Sequence, residues 1–270
     1  NKHCYLNWLT GMIAKKSLGQ HFLTSESALR AIVESAKLEK GEQVFEIGQG
    51  KGILTEALLF DGTKVLAIEK ERELIPFLRE KFEKEIKSGQ FELIEGDVLE
   101  FLARGTLDKN WPRVPLGQGY KIVANIPYYI TGAILEAALA GENPPKMMVL
   151  LIQKEVAQRI VARDGKESIL SQSVKFFGNP KLVKVVPAGA FTPPPSVDSA
   201  ILSISDIKPI EKIRSQKLFS ILKKGFAHKR KLLKSNLETS SEALIKCNII
   251  ETARAEELST QNWHCLADIL

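Results

Sequence analysis

Short apolar runs recur along the first part of the chain, each stopped by a glycine, an acid or a proline. Gln43-Val44-Phe45-Glu46-Ile47, Lys64-Val65-Leu66-Ala67-Ile68, Phe91-Glu92-Leu93-Ile94-Glu95 and Lys121-Ile122-Val123-Ala124 are too short for helices and rich in aliphatic residues. They read as buried strands, and Lys146 to Gln153 as a fifth. Between them the apolar period lengthens towards 3.6: Ala28, Leu29, Ile32, Val33 and Ala36 share one helical face, with Thr24 or Ser25 as its cap. Helices are also predicted over 53–59, from Thr131 through Ala140, and from Glu155 to Ala162. Such alternation predicts an α/β fold with a mostly parallel sheet. Val183–Val186 and Ala200–Ile204 suggest an antiparallel hairpin at one sheet edge, and 104–120, with five glycines and prolines as breakers, a long loop. Asp206–Pro209 is the expected boundary before helical segments at 217–224 and 230–237.

Charge divides the chain at the same place. The formal net charge is +6, yet residues 208–234 hold ten Lys or Arg and one acid, a net of +9. The remainder is therefore slightly acidic. A localised basic patch containing Lys223, Lys224, Lys229, Arg230 and Lys231 is the footprint of a phosphate-backbone binder, or else a solvated helix face. Cys4, Cys247 and Cys265 are odd in number and lack CxxC spacing. Neither a disulfide framework nor a zinc site is expected, no metal is called for, and a reducing cytosol fits. No apolar run approaches the ~20 residues of a membrane span, and residues 1–14 read as an N-terminal extension without the order of a signal peptide.

Candidate chemistry collects at the strand ends. The first strand runs into Gly48-Gln49-Gly50-Lys51-Gly52 and then a helix, the opening unit of a nucleotide-type fold. Its G-x-G-x-G spacing is tighter than the pyrophosphate cradle G-x-G-x-x-G, and suits a nucleoside without phosphates. Glu69, 21 residues after Gly48, ends the second strand where a carboxylate accepts from ribose hydroxyls. Asp97 follows the third, placed to hold an adenine amine. The fourth ends in Asn125-Ile126-Pro127-Tyr128-Tyr129: Pro127 stops the ladder and leaves an amide, freed carbonyls and an aromatic face. That set suits a flat, hydrogen-bonding base, although a plain strand end with core tyrosines has the same pattern. His21 is a ligand contact or a polar bridge to loop backbone.

The ordered set Gln20-His21-Phe22-Leu23, Glu46-Ile47-Gly48-Gln49-Gly50-Lys51-Gly52, Glu69, Gly96-Asp97 and Asn125-Ile126-Pro127-Tyr128 resembles the ribosomal RNA adenine N6,N6-dimethyltransferases. Phe191-Thr192-Pro193-Pro194-Pro195-Ser196-Val197-Asp198-Ser199-Ala200 is similar to that family's Phe-x-Pro-x-Pro-x-Val-x-Ser motif. The resemblance implies a Rossmann-like catalytic domain at 15–207 and a small basic helical RNA-binding domain at 208–270. It also implies S-adenosylmethionine as cofactor, held by His21, Leu23, Gly48, Gly50, Glu69, Asp97 and Asn125. Asn125, Pro127, Tyr128 and Phe191 would present the target base. The implied substrate is a pair of adjacent adenines near the 3′ end of small-subunit RNA, met in a pre-30S-type particle by a cytoplasmic monomer with no membrane partner. Two positions depart from the family: Gln49, where Pro or Ala is usual and backbone makes the ligand contact, and Tyr129, where Asn is common, at the rim of the base pocket.

Three other readings remain: a large-subunit RNA methyltransferase of the macrolide-resistance type, a non-catalytic RNA-binding assembly factor on the same fold, and a nicotinamide dehydrogenase. The last is weakest, because the glycine spacing is wrong and no hydride-transfer acid is evident.

Overall fold

The computed structural model describes residues 21–104 and 119–270. The expected extension at 1–14, the start of the basic loop and most of the loop at 104–120 lie outside these residues. In chain order the elements are β1 (Phe22–Leu23), α1 (Glu26–Ala36), β2 (Gln43–Ile47), α2 (Ile53–Phe60), β3 (Lys64–Glu69), α3 (Leu74–Lys81), α4 (Glu83–Lys87), β4 (Phe91–Glu95), α5 (Val98–Arg104) and β5 (Lys121–Asn125). Then come α6 (Thr131–Leu139), β6 (Met147–Gln153), α7 (Lys154–Ile160), α8 (Ile169–Lys175), β7 (Asn179–Val186), β8 (Phe191–Thr192) and β9 (Ser199–Ser205). Four helices complete the described chain: α9 (Lys212–Gly225), α10 (Leu233–Leu237), α11 (Ser241–Lys246) and α12 (Thr260–Ile269).

Seven strands form one sheet in the order β4-β3-β2-β5-β6-β9-β7. The five from β4 to β6 are parallel, while β9 and β7 add antiparallel at one edge. The hairpin edge is thus as the pattern predicted, with β7 longer than expected. Parallel strands covered on both faces need continuous apolar runs, and β6 is buried from Met147 to Ile152. Alternate residues serve opposite faces: Phe45, Ile47, Ile122 and Ala124 join one core cluster, Val44, Val65 and Val123 the other. From the central β2 the chain winds outward through β3 and β4, then returns to lay β5 on the other side of β2. The carboxyl ends of β2 and β5 therefore flank a topological switch point, where open α/β sheets bind ligands.

β5 is pinned at its other end. Lys121, 5% exposed, pairs with Glu42 at 2.9 Å and donates to the Ala36 and Lys37 carbonyls at 2.8 and 2.6 Å. A buried ammonium needs that many acceptors, and they anchor the strand that ends in Asn125. Ser25 caps α1 by accepting from Ala28 N, whereas Thr24 is drawn to the Ala190 carbonyl. Thr131 is the first residue of α6 rather than its cap, and its hydroxyl donates to the Tyr128 carbonyl.

The C-terminal helices pack on the sheet's Phe45 face, joining its core cluster through Leu218, Leu222, Trp263 and Leu266. Trp263 is fully buried, stacked on Phe226 at 5.5 Å. A Cβ at residue 225 would stand 2.4 Å from the indole, so only Gly225 admits it. One expectation is corrected here: Cys247 and Cys265 form a disulfide, with Cα atoms 5.6 Å apart. Cys247 ends α11 and Cys265 lies within α12, so tertiary packing brings together two residues whose spacing carries no local signal.

Candidate active site

The glycine turn after β2 sets the floor of the site. Gly48, Gly50 and Gly52 all take positive φ (68°, 54° and 72°), a conformation costly for residues with a Cβ. At Gly50 a Cβ would also stand 3.0 Å from the Phe22 ring. The turn is held to the end of β3: Gly50 N–H donates to Glu69 Oε2 (3.2 Å) and Glu71 N–H to Glu69 Oε1 (2.9 Å). Glu69 is 6% exposed. Burial raises its pKa above the ordinary carboxylate value, and these backbone donors oppose the rise.

Beyond β5, Pro127 starts a 3-10 turn, Tyr128–Ile130. Asn125 Nδ2 donates to the His21 carbonyl at 3.3 Å, which fixes the amide with its oxygen as the acceptor end. The Tyr128 hydroxyl bonds Ser199 Oγ at 2.7 Å, and its ring stacks on His21 with centroids 6.0 Å apart. His21 Nδ1 lies 2.8 Å from the Pro193 carbonyl. A carbonyl only accepts, so that nitrogen carries the proton. His21 is thus the bridge between loop backbones and a wall of the pocket at once.

The segment Phe191–Ala200 closes the far side. β8 pairs antiparallel with β1, setting Phe191 opposite Leu23; both are buried, at 3% and 7% exposed. Asp198 holds the loop, accepting from Ala188 N–H at 3.2 Å and pairing with Lys154 at 3.2 Å. The motif's Asp and Ser therefore support the pocket, one fastening the loop and the other the Tyr128 hydroxyl.

These residues enclose two adjoining lobes. The first is lined by His21, Leu23, Glu46, Gly48, Gly50, Asn125, Tyr128 and Phe191, among others. The second is bordered by Ile68, Lys70, Asp97, Leu99, Tyr129 and Ile130, with further apolar neighbours. Gly48, Glu69 and Pro127 belong to both. In the second lobe Asp97 accepts from Leu99 N–H at 2.8 Å and pairs with Lys70 at 2.9 Å; Lys70 holds its carboxyl below the usual range. Every residue assigned from sequence to cofactor or base thus borders one lobe or the other. Lys223, Lys224, Lys229, Arg230 and Lys231 are exposed on the helical segment.

Two residues were not anticipated in these places. Glu46, 1% exposed, lines the first lobe. Burial pushes its pKa up to about 8, and its Oε2 has no hydrogen-bond partner among the described residues. An acid inside an otherwise apolar strand was the available signal. Tyr129, expected at the rim of the base pocket, lies instead on the second lobe with Asp97. A 3-10 turn sets consecutive side chains about 120° apart, so neighbouring tyrosines face different lobes.

Glu46 borders the first lobe, Asp97 the second, and Glu69 stands between them on both. Residues 11–270 match the ribosomal RNA adenine dimethylase family. The chain is 40% identical over 263 residues to the ribosomal RNA small subunit methyltransferase A of Dehalococcoides mccartyi, spanning 94% of this chain and 87% of that one. A dimethyladenosine transferase from Plasmodium falciparum shares the fold at a TM-score of 0.73 and 24% identity, covering 91% of this chain and 96% of that one. The 23S rRNA methyltransferase ErmE does so at 0.72 and 23%, covering 92% and 98%. The glycine turn, the two acidic strand ends and the Asn-Ile-Pro-Tyr turn meet at one switch point, and the chain belongs to the ribosomal RNA adenine dimethylase family of S-adenosylmethionine-dependent methyltransferases.

Proposed function

We propose that this protein transfers methyl groups from S-adenosylmethionine to N6 of two adjacent adenines near the 3′ end of small-subunit ribosomal RNA, twice on each base. It would act as a cytoplasmic monomer on a pre-30S-type particle. The observation that carries this reading is the convergence of Glu69, Asp97 and Asn125 around two joined lobes. The name of the relative at 40% identity supports the small-subunit target. Among the described residues no helix is long and apolar enough to cross a membrane, and none form a cluster that could hold a metal.

The residues fit the cofactor. Glu46 Oε2 is buried on the first lobe with no hydrogen-bond partner among the described residues; on giving up its proton, Glu46 would offer a carboxylate to the cation that S-adenosylmethionine carries. The positive-φ glycines let backbone approach it closely, Glu69 accepts from the ribose hydroxyls, and Asp97 from the adenine amine. When bound, the sulfonium supplies an activated methyl group. Positioning then supplies much of the catalysis. The Asn125 oxygen and a carbonyl at Ile126 or Pro127 accept the two amine hydrogens, drawing electron density onto a nitrogen whose lone pair is otherwise delocalised into the ring. Tyr128 stacks on one face of the flipped base and Phe191 covers the other, a contribution of roughly 1–3 kcal/mol per base. No strong general base is required, because the nitrogen becomes acidic only after transfer.

Residues 208–270 act as the RNA-binding unit, with Lys223, Lys224, Lys229, Arg230 and Lys231 on phosphates. Incubating the protein with labelled S-adenosylmethionine and, in separate reactions, unmethylated small and large subunits, then mapping the label, tests the assignment. Label on two adjacent adenines near the 3′ end is expected; label confined to large-subunit RNA would instead support the macrolide-resistance reading.

A further inference from the structure

We propose that Tyr129 closes the outer side of the second lobe over the purine ring of the cofactor, making it a cofactor-affinity residue rather than part of target recognition. This rests on the function proposed above. Three features point to it. Tyr128 and Tyr129 adjoin on one 3-10 turn but part company: Tyr128 is tied to Ser199 and stacked on His21, whereas Tyr129 borders the lobe that holds Asp97. Tyr129 is also 66% exposed, a large ring left uncovered at the lip of a slot. The walls of that slot include Ile47, Ile68, Val98, Leu99 and Pro127.

Those apolar walls are joined by Glu69, Lys70 and Asp97; Glu69 is shared with the first lobe, so the carboxylate that borders the second lobe and not the first, and suits an exocyclic amine there, is Asp97. A flat heterocycle entering there would cover the ring and complete an apolar sandwich, and stacking of a base on an aromatic side chain tolerates any base orientation that keeps faces parallel. Lys70, paired with Asp97 at 2.9 Å, stands on the same lip. Its charge keeps that side of the slot polar and leaves Tyr129 as the aromatic cover.

The test is calorimetric titration of the full chain with S-adenosylhomocysteine and, separately, with 5′-methylthioadenosine, which lacks the amino-acid end. Tyr129→Ala is expected to weaken both ligands about tenfold, within the range of single ring–base stacks, while Tyr129→Phe stays within about twofold of the parent. Weakening of both ligands assigns the loss to the purine end. In methylation assays the same loss should enter the cofactor KM rather than kcat. Cofactor affinity within twofold in Tyr129→Ala, or a loss confined to kcat at saturating cofactor, would overturn the proposal and return Tyr129 to the target-base rim. If the parent protein itself failed to bind S-adenosylhomocysteine, the functional reading would fall first, and this proposal with it.

Discussion

The backbone N–H of Gly50 donates to the buried carboxylate of Glu69 across 3.2 Å, joining the turn of the first βα unit to the end of the second strand. One oxygen is thus committed to the turn and the other to Glu71 N–H at 2.9 Å. Each carboxylate oxygen retains a second lone pair for a ribose hydroxyl. Glu69→Gln removes the charge and one acceptor, and Asp97→Asn does the same in the second lobe. Each variant should bind S-adenosylhomocysteine more weakly by about 1.5–3 kcal/mol, the scale of a hydrogen bond to a charged group. Calorimetry showing the parental affinity in both variants would contradict their placement at the ligand.

Glu46 makes the site sensitive to pH. Its carboxyl titrates at about 8 in the folded protein, raised by burial from 4.5, so the folded state keeps a proton that the unfolded chain has released between those values. Stability is therefore fully present below pH 4.5 and falls as pH rises towards about 8. Urea unfolding of the ligand-free protein at pH 5 and pH 8 should show this decline, and Glu46→Gln should reduce it. The Glu69 pKa is also raised, so part of the slope remains. A slope unchanged in Glu46→Gln would mean that Glu46 is ionised throughout.

Much of this arrangement was legible in local pattern. The span Gln43–Ile47 gave a strand with the bounds observed, and Lys64–Ile68 and Phe91–Glu95 did nearly or fully as well, because parallel strands must be apolar throughout. The strand-end residues Gly48, Glu69, Asp97 and Asn125 followed from the alternation of elements. What escaped depends on contacts distant in the chain. β1 and β8 are two residues each and pair across some 170 positions, so neither has a periodicity to read. Tyr129 required knowing that its backbone enters a 3-10 turn. The Cys247–Cys265 bond required knowing that α11 and α12 pack together. α12, by contrast, carried an overlooked signal, since Ser259 and Asn262 form a capping box at its start.

The exposed cations of the helical segment should bind RNA through phosphate neutralisation. Replacing Lys229, Arg230 and Lys231 with Glu is expected to weaken binding to small subunits and flatten its dependence on salt, while cofactor affinity stays at the parental value. Filter-binding titrations between about 50 and 200 mM salt measure both quantities. Full RNA affinity in the triple variant would mark the segment as a solvated face.

The central claim is that Asn125 aims the adenine amine, and single-turnover methylation at saturating cofactor tests it most directly. Asn125→Ala should fold and bind RNA, yet transfer methyl groups about 10²–10³-fold more slowly, the usual loss when a positioned hydrogen bond that tightens in the transition state is removed. Saturating cofactor removes any accompanying loss of cofactor affinity from the measured rate. Tyr128→Phe is the control: it keeps the stacking face, gives up the bond to Ser199, and should retain much of the activity, whereas Tyr128→Ala should not. A near-parental single-turnover rate in Asn125→Ala would contradict the mechanism and make the end of β5 a structural strand end.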